Sequence, residues 1–104
     1  HGPLALVNPD FPIVALNPKW DLRDKTISNI KEIKARSGTV LWVITQGDDF
    51  IEIYDDVIEI PETHHLLTPF LPLTPLWLFS VEVAKTLWKD VDKPQNLAKS
   101  VTVE

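Results

Sequence analysis

Thr39-Val40-Leu41-Trp42-Val43-Ile44-Thr45, followed at once by Gln46-Gly47-Asp48-Asp49, is the stretch on which the fold turns. It carries no charge and is filled by β-branched and aromatic side chains, which suits a strand packed on both faces. The glycine and paired aspartates behind it supply a turn. The expectation is a central strand of a parallel sheet. Upstream, Phe11-Pro12-Ile13-Val14-Ala15-Leu16 is a second apolar run closed by Asn17-Pro18, and a strand buried on both faces is expected over Ile13 to Leu16.

Between these runs the pattern changes to a helical period, with Leu22, Ile27, Ile30 and Ile33 on one side and lysines over much of the other. Asp21 is the expected N-cap and Gly38 the expected left-handed C′ residue. Six of the ten basic residues fall between Lys19 and Arg36, and the expected role of that face is solvation. Downstream, Asp56-Val57-Ile58-Glu59-Ile60 is a third strand ended by Pro61. After Pro69, Pro72 and Pro75, a helix is expected from Leu76 to about Lys89, with Thr74 as cap and Trp77, Phe79, Val83, Ala84 and Leu87 in the core. Strand, helix, strand, crossover, strand, helix predicts an α/β fold with a parallel sheet and helices on its faces.

The chain has 104 residues and a net charge of −5, and it lacks a basic stripe interleaved with aromatics, so nucleic acid is excluded as an expected partner. A membrane span is not expected either: the longest uncharged apolar stretch, Leu66 to Val81, is broken by three prolines and falls short of the ~20 residues needed. There is no cysteine, which removes disulfides and thiolate metal sites and fits a reducing, cytoplasmic setting. The chain begins with histidine and has no methionine, and it reads as a piece of a longer polypeptide.

Seven carboxylates between Asp48 and Glu62 lack the alternating spacing and turn glycine of a calcium loop, so a solvated acidic loop face is expected there. His64-His65 has no third ligand spaced near it, and no metal or cofactor is assigned. The three glycines stand far apart, so no phosphate-cradling loop is present.

One residue type retains chemical interest. Lys99 lies in a short, weakly charged terminal segment, and an ammonium desolvated beside apolar groups loses part of its preference for the charged form, freeing an amine to attack a carbonyl carbon. At an unperturbed pKa near 10.4 such an amine is neutral in only roughly 0.04% of molecules at pH 7, so burial or a nearby cation is required.

The string Asp90-Val91-Asp92-Lys93-Pro94, followed by Asn96-Leu97-Ala98-Lys99-Ser100-Val101-Thr102-Val103-Glu104, resembles the C-terminus of the glucosamine-6-phosphate synthase family. The opening His1-Gly2-Pro3-Leu4-Ala5-Leu6 resembles the same family at the matching distance upstream. Two residues depart from the family pattern: Gln95 replaces a usual arginine, and Trp88 falls where a glycine commonly ends the last helix.

The resemblance implies that residues 1–92 are the C-terminal part of a sugar-isomerase (SIS) domain, a three-layer α/β/α fold incomplete in this chain, and that residues 93–104 are an active-site tail. It implies that Lys99 forms a Schiff base with open-chain fructose 6-phosphate and that His1 assists ring opening in a neighbouring subunit's site, so that a homodimer is required. It further implies that Ala98 contacts substrate and, with Val101, lines the passage for ammonia released from glutamine by a glutaminase domain absent from this chain. The phosphate loop and the proton-moving glutamate would lie upstream, and the chain alone is expected to be inactive. Two other readings stay open: a non-enzymatic sugar-phosphate-binding SIS module, and a sugar-phosphate isomerase or deaminase without a glutaminase half.

Overall fold

The computed structural model describes residues 2–49 and 53–94, and within these the uncharged run is the middle strand of a three-stranded parallel sheet. In chain order, a single 3-10 turn (Pro3–Leu6) precedes β1 (Ile13–Asn17), α1 (Arg23–Lys34), β2 (Val40–Thr45), β3 (Asp56–Ile60) and α2 (Leu73–Thr86). The sheet order is β1-β2-β3. Ile13 pairs with Val40 and Asn17 with Ile44 on one side of β2, while Leu41 pairs with Asp56 and Thr45 with Ile60 on the other. β2 is buried nearly throughout, as its lack of charge demands.

The first strand differs from expectation. Ala15 and Asn17 are buried, whereas Val14 and Leu16 on the opposite face are partly exposed, because an edge strand is covered more fully on the side where α1 packs. That covered face builds the core: Ala15, Val40, Trp42 and Ile44 meet Ile30 of α1, with Ile13, Ile33, Ile53 and Tyr54 around them.

α1 begins at Arg23 with Leu22, not Asp21, in the N-cap position, and no side chain bonds its first amides. Its other end is a Schellman motif in which the Ser37 amide donates to Lys34 O at 2.9 Å and the Gly38 amide to Ile33 O at 3.3 Å. Ser37, with φ of 60°, is therefore the left-handed residue, and Gly38 comes one position later. Gly38 is needed for space, since a Cβ there would stand 2.8 Å from both Ile33 Cγ2 and Val7 Cγ1.

The described chain divides between Pro72 and Leu73 into two compact units. α2 opens the second, with Thr74 and Pro75 inside its first turn, where proline's missing N–H has no partner to lose. It ends on the same motif as α1: the Trp88 amide donates to Lys85 O at 2.9 Å, the Lys89 amide to Ala84 O at 2.8 Å, and Trp88 has φ of 56°. A left-handed turn here is what a glycine would provide, and this chain makes it with tryptophan. None of the α2 apolar residues is buried, and Trp77 is 66% exposed, contrary to the core packing expected. Among the described residues the second unit has no other helix or strand against which α2 can bury them.

Past α2 the chain turns on Asp90, whose Oδ1 accepts hydrogen bonds from the amides of Asp92 and Lys93, each at 2.9 Å. This Asx turn leads into Pro94.

Candidate functional site

In a parallel α/β sheet the strands end together, and the residues just beyond their carboxyl ends frame a crevice that no single segment can make. Here Asn17 ends β1, Thr45 ends β2 and Ile60 ends β3, with Lys19, Asp48 and Glu62 in the segments that follow. Three concavities lie along this edge, of about 240, 520 and 70 Å³, and Lys19 lines all of them.

Lys19 is held by its backbone. Its amide donates to Oγ1 of the buried Thr45 at 2.9 Å, fixing the segment after β1 across the end of β2. Its ammonium reaches across to Glu62 Oε1 at 3.1 Å, and both side chains of that pair are mostly exposed. His65 lines the two larger concavities and packs on His64, with ring centroids 4.3 Å apart. The turn from His64 to Phe70, in which the Leu67 and Thr68 amides donate to His64 O, holds the segment that carries the two rings. Among the described residues no group of three metal-ligating side chains is assembled.

Beneath the crevice lies a buried polar cluster. The Arg23 guanidinium donates to Asp48 Oδ1, and both side chains are largely withdrawn from water. Tyr54 packs on Trp42 with ring centroids 4.5 Å apart. Burial, and then Asp48, pushes its hydroxyl above the ordinary phenol range, against a smaller opposite pull from Arg23 and Asn17. The Asn17 amide is fully buried, and neither of its polar atoms reaches full hydrogen-bond geometry among the described residues, although it stands near enough to Tyr54 to affect that group.

The acidic stretch is thus only partly the solvated face expected from its charge. Asp48 is buried against Arg23, and Asp55 accepts the Val40 amide at 3.0 Å while receiving a hydrogen bond from Lys34. Lys34 and the Val40 amide hold the Asp55 carboxyl below the usual carboxylate range, Lys34 contributing most, against an opposing effect of burial. The basic helix face is likewise not purely solvated, because Arg23 and Lys34 supply the partners.

His1, Ala98, Lys99 and Val101 are outside the described residues, as is Gln95. The crevice residues were missed because Lys19, Thr45 and Glu62 have no shared sequence pattern. Their one common signal is position, each at or within two residues of a strand's end.

No protein-family model matches the chain. Known proteins do. It is 50% identical over 105 residues to glutamine–fructose-6-phosphate aminotransferase (isomerizing) of Thermus thermophilus, a match covering 100% of this chain and 17% of that protein. The same enzyme of Clostridium perfringens is 50% identical over 107 residues, covering 100% of this chain and 18% of the relative. Among solved structures, the C-terminal domain of glucosamine-fructose-6-phosphate aminotransferase from Francisella tularensis superposes with a TM-score of 0.82 at 38% identity, covering 89% of this chain and 27% of that one. The chain therefore spans under a fifth of the curated relatives it matches.

Proposed function

We infer that this chain is the C-terminal segment of an isomerising glutamine–fructose-6-phosphate aminotransferase and contributes catalytic groups to the isomerase half of that enzyme. The observation that carries this reading is identity of 50% running from end to end of the chain, supported by the parallel α/β fold shared with the Francisella domain. The parent chain takes the amide nitrogen of glutamine and delivers it to fructose 6-phosphate, giving glucosamine 6-phosphate and glutamate. The reading takes the parent chain to be a cytoplasmic enzyme, in keeping with the absence of cysteine.

Within that reaction Lys99 acts as the nucleophile. Its neutral amine adds to the C2 carbonyl of the open-chain sugar, and loss of water leaves the imine. Leu97, Ala98 and Val101 flank Lys99 in the sequence, and desolvation of an amine among apolar groups of this kind lowers its pKa. Ala98 and Val101 also suit an ammonia passage, because small apolar side chains leave room and do not donate a proton to ammonia. Residues 93–104 form the tail that delivers these groups, and Asp90 turns the chain at its entrance.

His1 serves a second subunit's site, so catalysis requires a homodimer. With an unperturbed pKa of about 6.5, histidine exchanges protons near neutral pH, as ring opening of the cyclic sugar requires. In the parent dimer, His1→Ala is expected to slow turnover of fructose 6-phosphate far more than that of an analogue fixed in the open-chain form. Equal losses on both would remove His1 from ring opening. Mixing His1→Ala subunits with Lys99→Arg subunits should restore part of the activity, because one hybrid site then holds both native residues; no restoration would remove the shared site.

A further inference from the structure

We propose that the apolar knob at the end of α2, formed by Leu87, Trp88 and Val91, is the docking point for the glutamine-hydrolysing part of the parent chain. It rests on the proposed transfer of nitrogen from glutamine to a sugar held at Lys99. Trp88 is a backbone outlier: its φ of 56° is a left-handed conformation that glycine enters freely and that crowds the Cβ of other residues. Residues held this way persist where their surroundings over-determine them, and they gather at clamps and switches. The hydrogen bonds donated by the Trp88 and Lys89 amides require the left-handed turn but not an indole.

Within its own unit the indole gains nothing in return. It is 95% exposed, and Leu87 and Val91 beside it in the sequence are exposed as well. Beyond α2 the described chain makes the Asx turn on Asp90 and forms no helix or strand to cover them. The residues about this apolar centre have the pattern of an interface rim. Lys85, paired with Glu82 at 2.7 Å, precedes it, and Lys89, Asp90, Asp92 and Lys93 surround it in the sequence, so three cations balance three carboxylates. A rim of mixed sign does not suit an anionic ligand and does suit a protein surface, where a tryptophan seated in a pocket carries a large share of binding.

Position selects the partner. Trp88 stands just ahead of the Asp90 turn that leads toward the tail, so a body seated on the indole is held at the tail's entrance. The chain spans under a fifth of its curated relatives, which leaves most of the parent to supply the occupant. The part that releases nitrogen from glutamine is the one that must be held there, because nitrogen released elsewhere escapes to water before it meets the sugar.

The test is the ratio of glutamate released to aminosugar formed by the intact parent chain. Wild type is expected to release the two in nearly equal amounts. Trp88→Gly and Trp88→Ala should each raise the ratio several-fold, although the first relieves the backbone and the second leaves it strained. Trp88→Phe keeps an aromatic anchor and should stay close to wild type. Sugar isomerisation without glutamine and the sedimentation of the parent should be unchanged in all three. An unchanged ratio in the Trp88→Gly and Trp88→Ala chains overturns the proposal. So does altered sedimentation, which would assign the knob to a second copy, or a matching loss of isomerisation, which would assign it to the isomerase half. A wild-type parent that made no aminosugar from glutamine would overturn the functional reading itself, and this inference with it.

Discussion

α1 and α2 end alike and differ in almost everything else. α1 turns Ile27 and Ile30 onto the sheet and gives Arg23 and Lys34 to carboxylates from other segments, so its sequence is written on two faces. α2 has apolar residues around much of its circumference and buries none of them. A helix of that composition belongs in the interior of something larger. The contrast teaches that amphipathic periodicity reports what a segment packs against within its own unit, whereas all-round hydrophobicity reports a need for cover that the unit does not meet.

The sharpest way to break this comparison is truncation on each helix in turn. In this chain Ile30→Ala removes a buried side chain from the core cluster and should cost about 2–5 kcal/mol, read from urea unfolding. Leu78→Ala on α2 should stay within about 0.5 kcal/mol, because the residue is exposed. Similar losses at both positions would mean that α2 is packed as tightly as α1.

The shared helix ends give a second pair. Gly38→Ala places a Cβ against Ile33 and Val7 and should destabilise by about 1–3 kcal/mol through overpacking. Trp88→Gly should do the reverse: a left-handed backbone costs a side-chain-bearing residue about 1–2 kcal/mol, and the 95%-exposed indole has little packing to lose. Thermal unfolding of both variants would check the opposite signs. A loss of stability in Trp88→Gly would show that the indole is held by contacts that offset the strain.

A smaller effect is expected at Asp55, which ties the start of β2 to the end of α1. Its folded pKa is lowered, so its contribution is complete above the unfolded carboxyl value of about 3.9 and disappears as pH falls through the lower folded value. Asp55→Asn should therefore flatten the acid limb of stability below about pH 4 while leaving its slope near neutrality unchanged. The check is an unfolding midpoint followed across that range.

Much of the fold was legible because it depends on local pattern. The run ending in Thr45 and the alternation from Asp56 to Ile60 identify β2 and β3 to within a residue, since charge and β-branching change abruptly at their ends. Helix ends were less legible. Ser37 and Trp88 hold left-handed positions for which sequence favours glycine, and the Leu22 N-cap has no capping chemistry to read. The crevice was illegible because Lys19, Thr45 and Glu62 meet only once three strands are in register, and Asp48 gives no sign of burial until Arg23 is placed beside it. The tail proposed to carry catalysis is the reverse case: composition around Lys99 does not by itself mark it as a nucleophile, and its proposed role rests on the resemblance of the whole string of residues about it.

That assignment is tested most directly by chemical trapping. Borohydride added to the full parent chain with fructose 6-phosphate and no glutamine should reduce the imine to a stable secondary amine, and peptide mapping should find the sugar on Lys99. Lys99→Arg keeps the charge but cannot form the imine, so it should abolish both the adduct and sugar isomerisation while glutamine binding persists. An adduct mapped to Lys93, or full synthase activity in Lys99→Arg, would contradict the account.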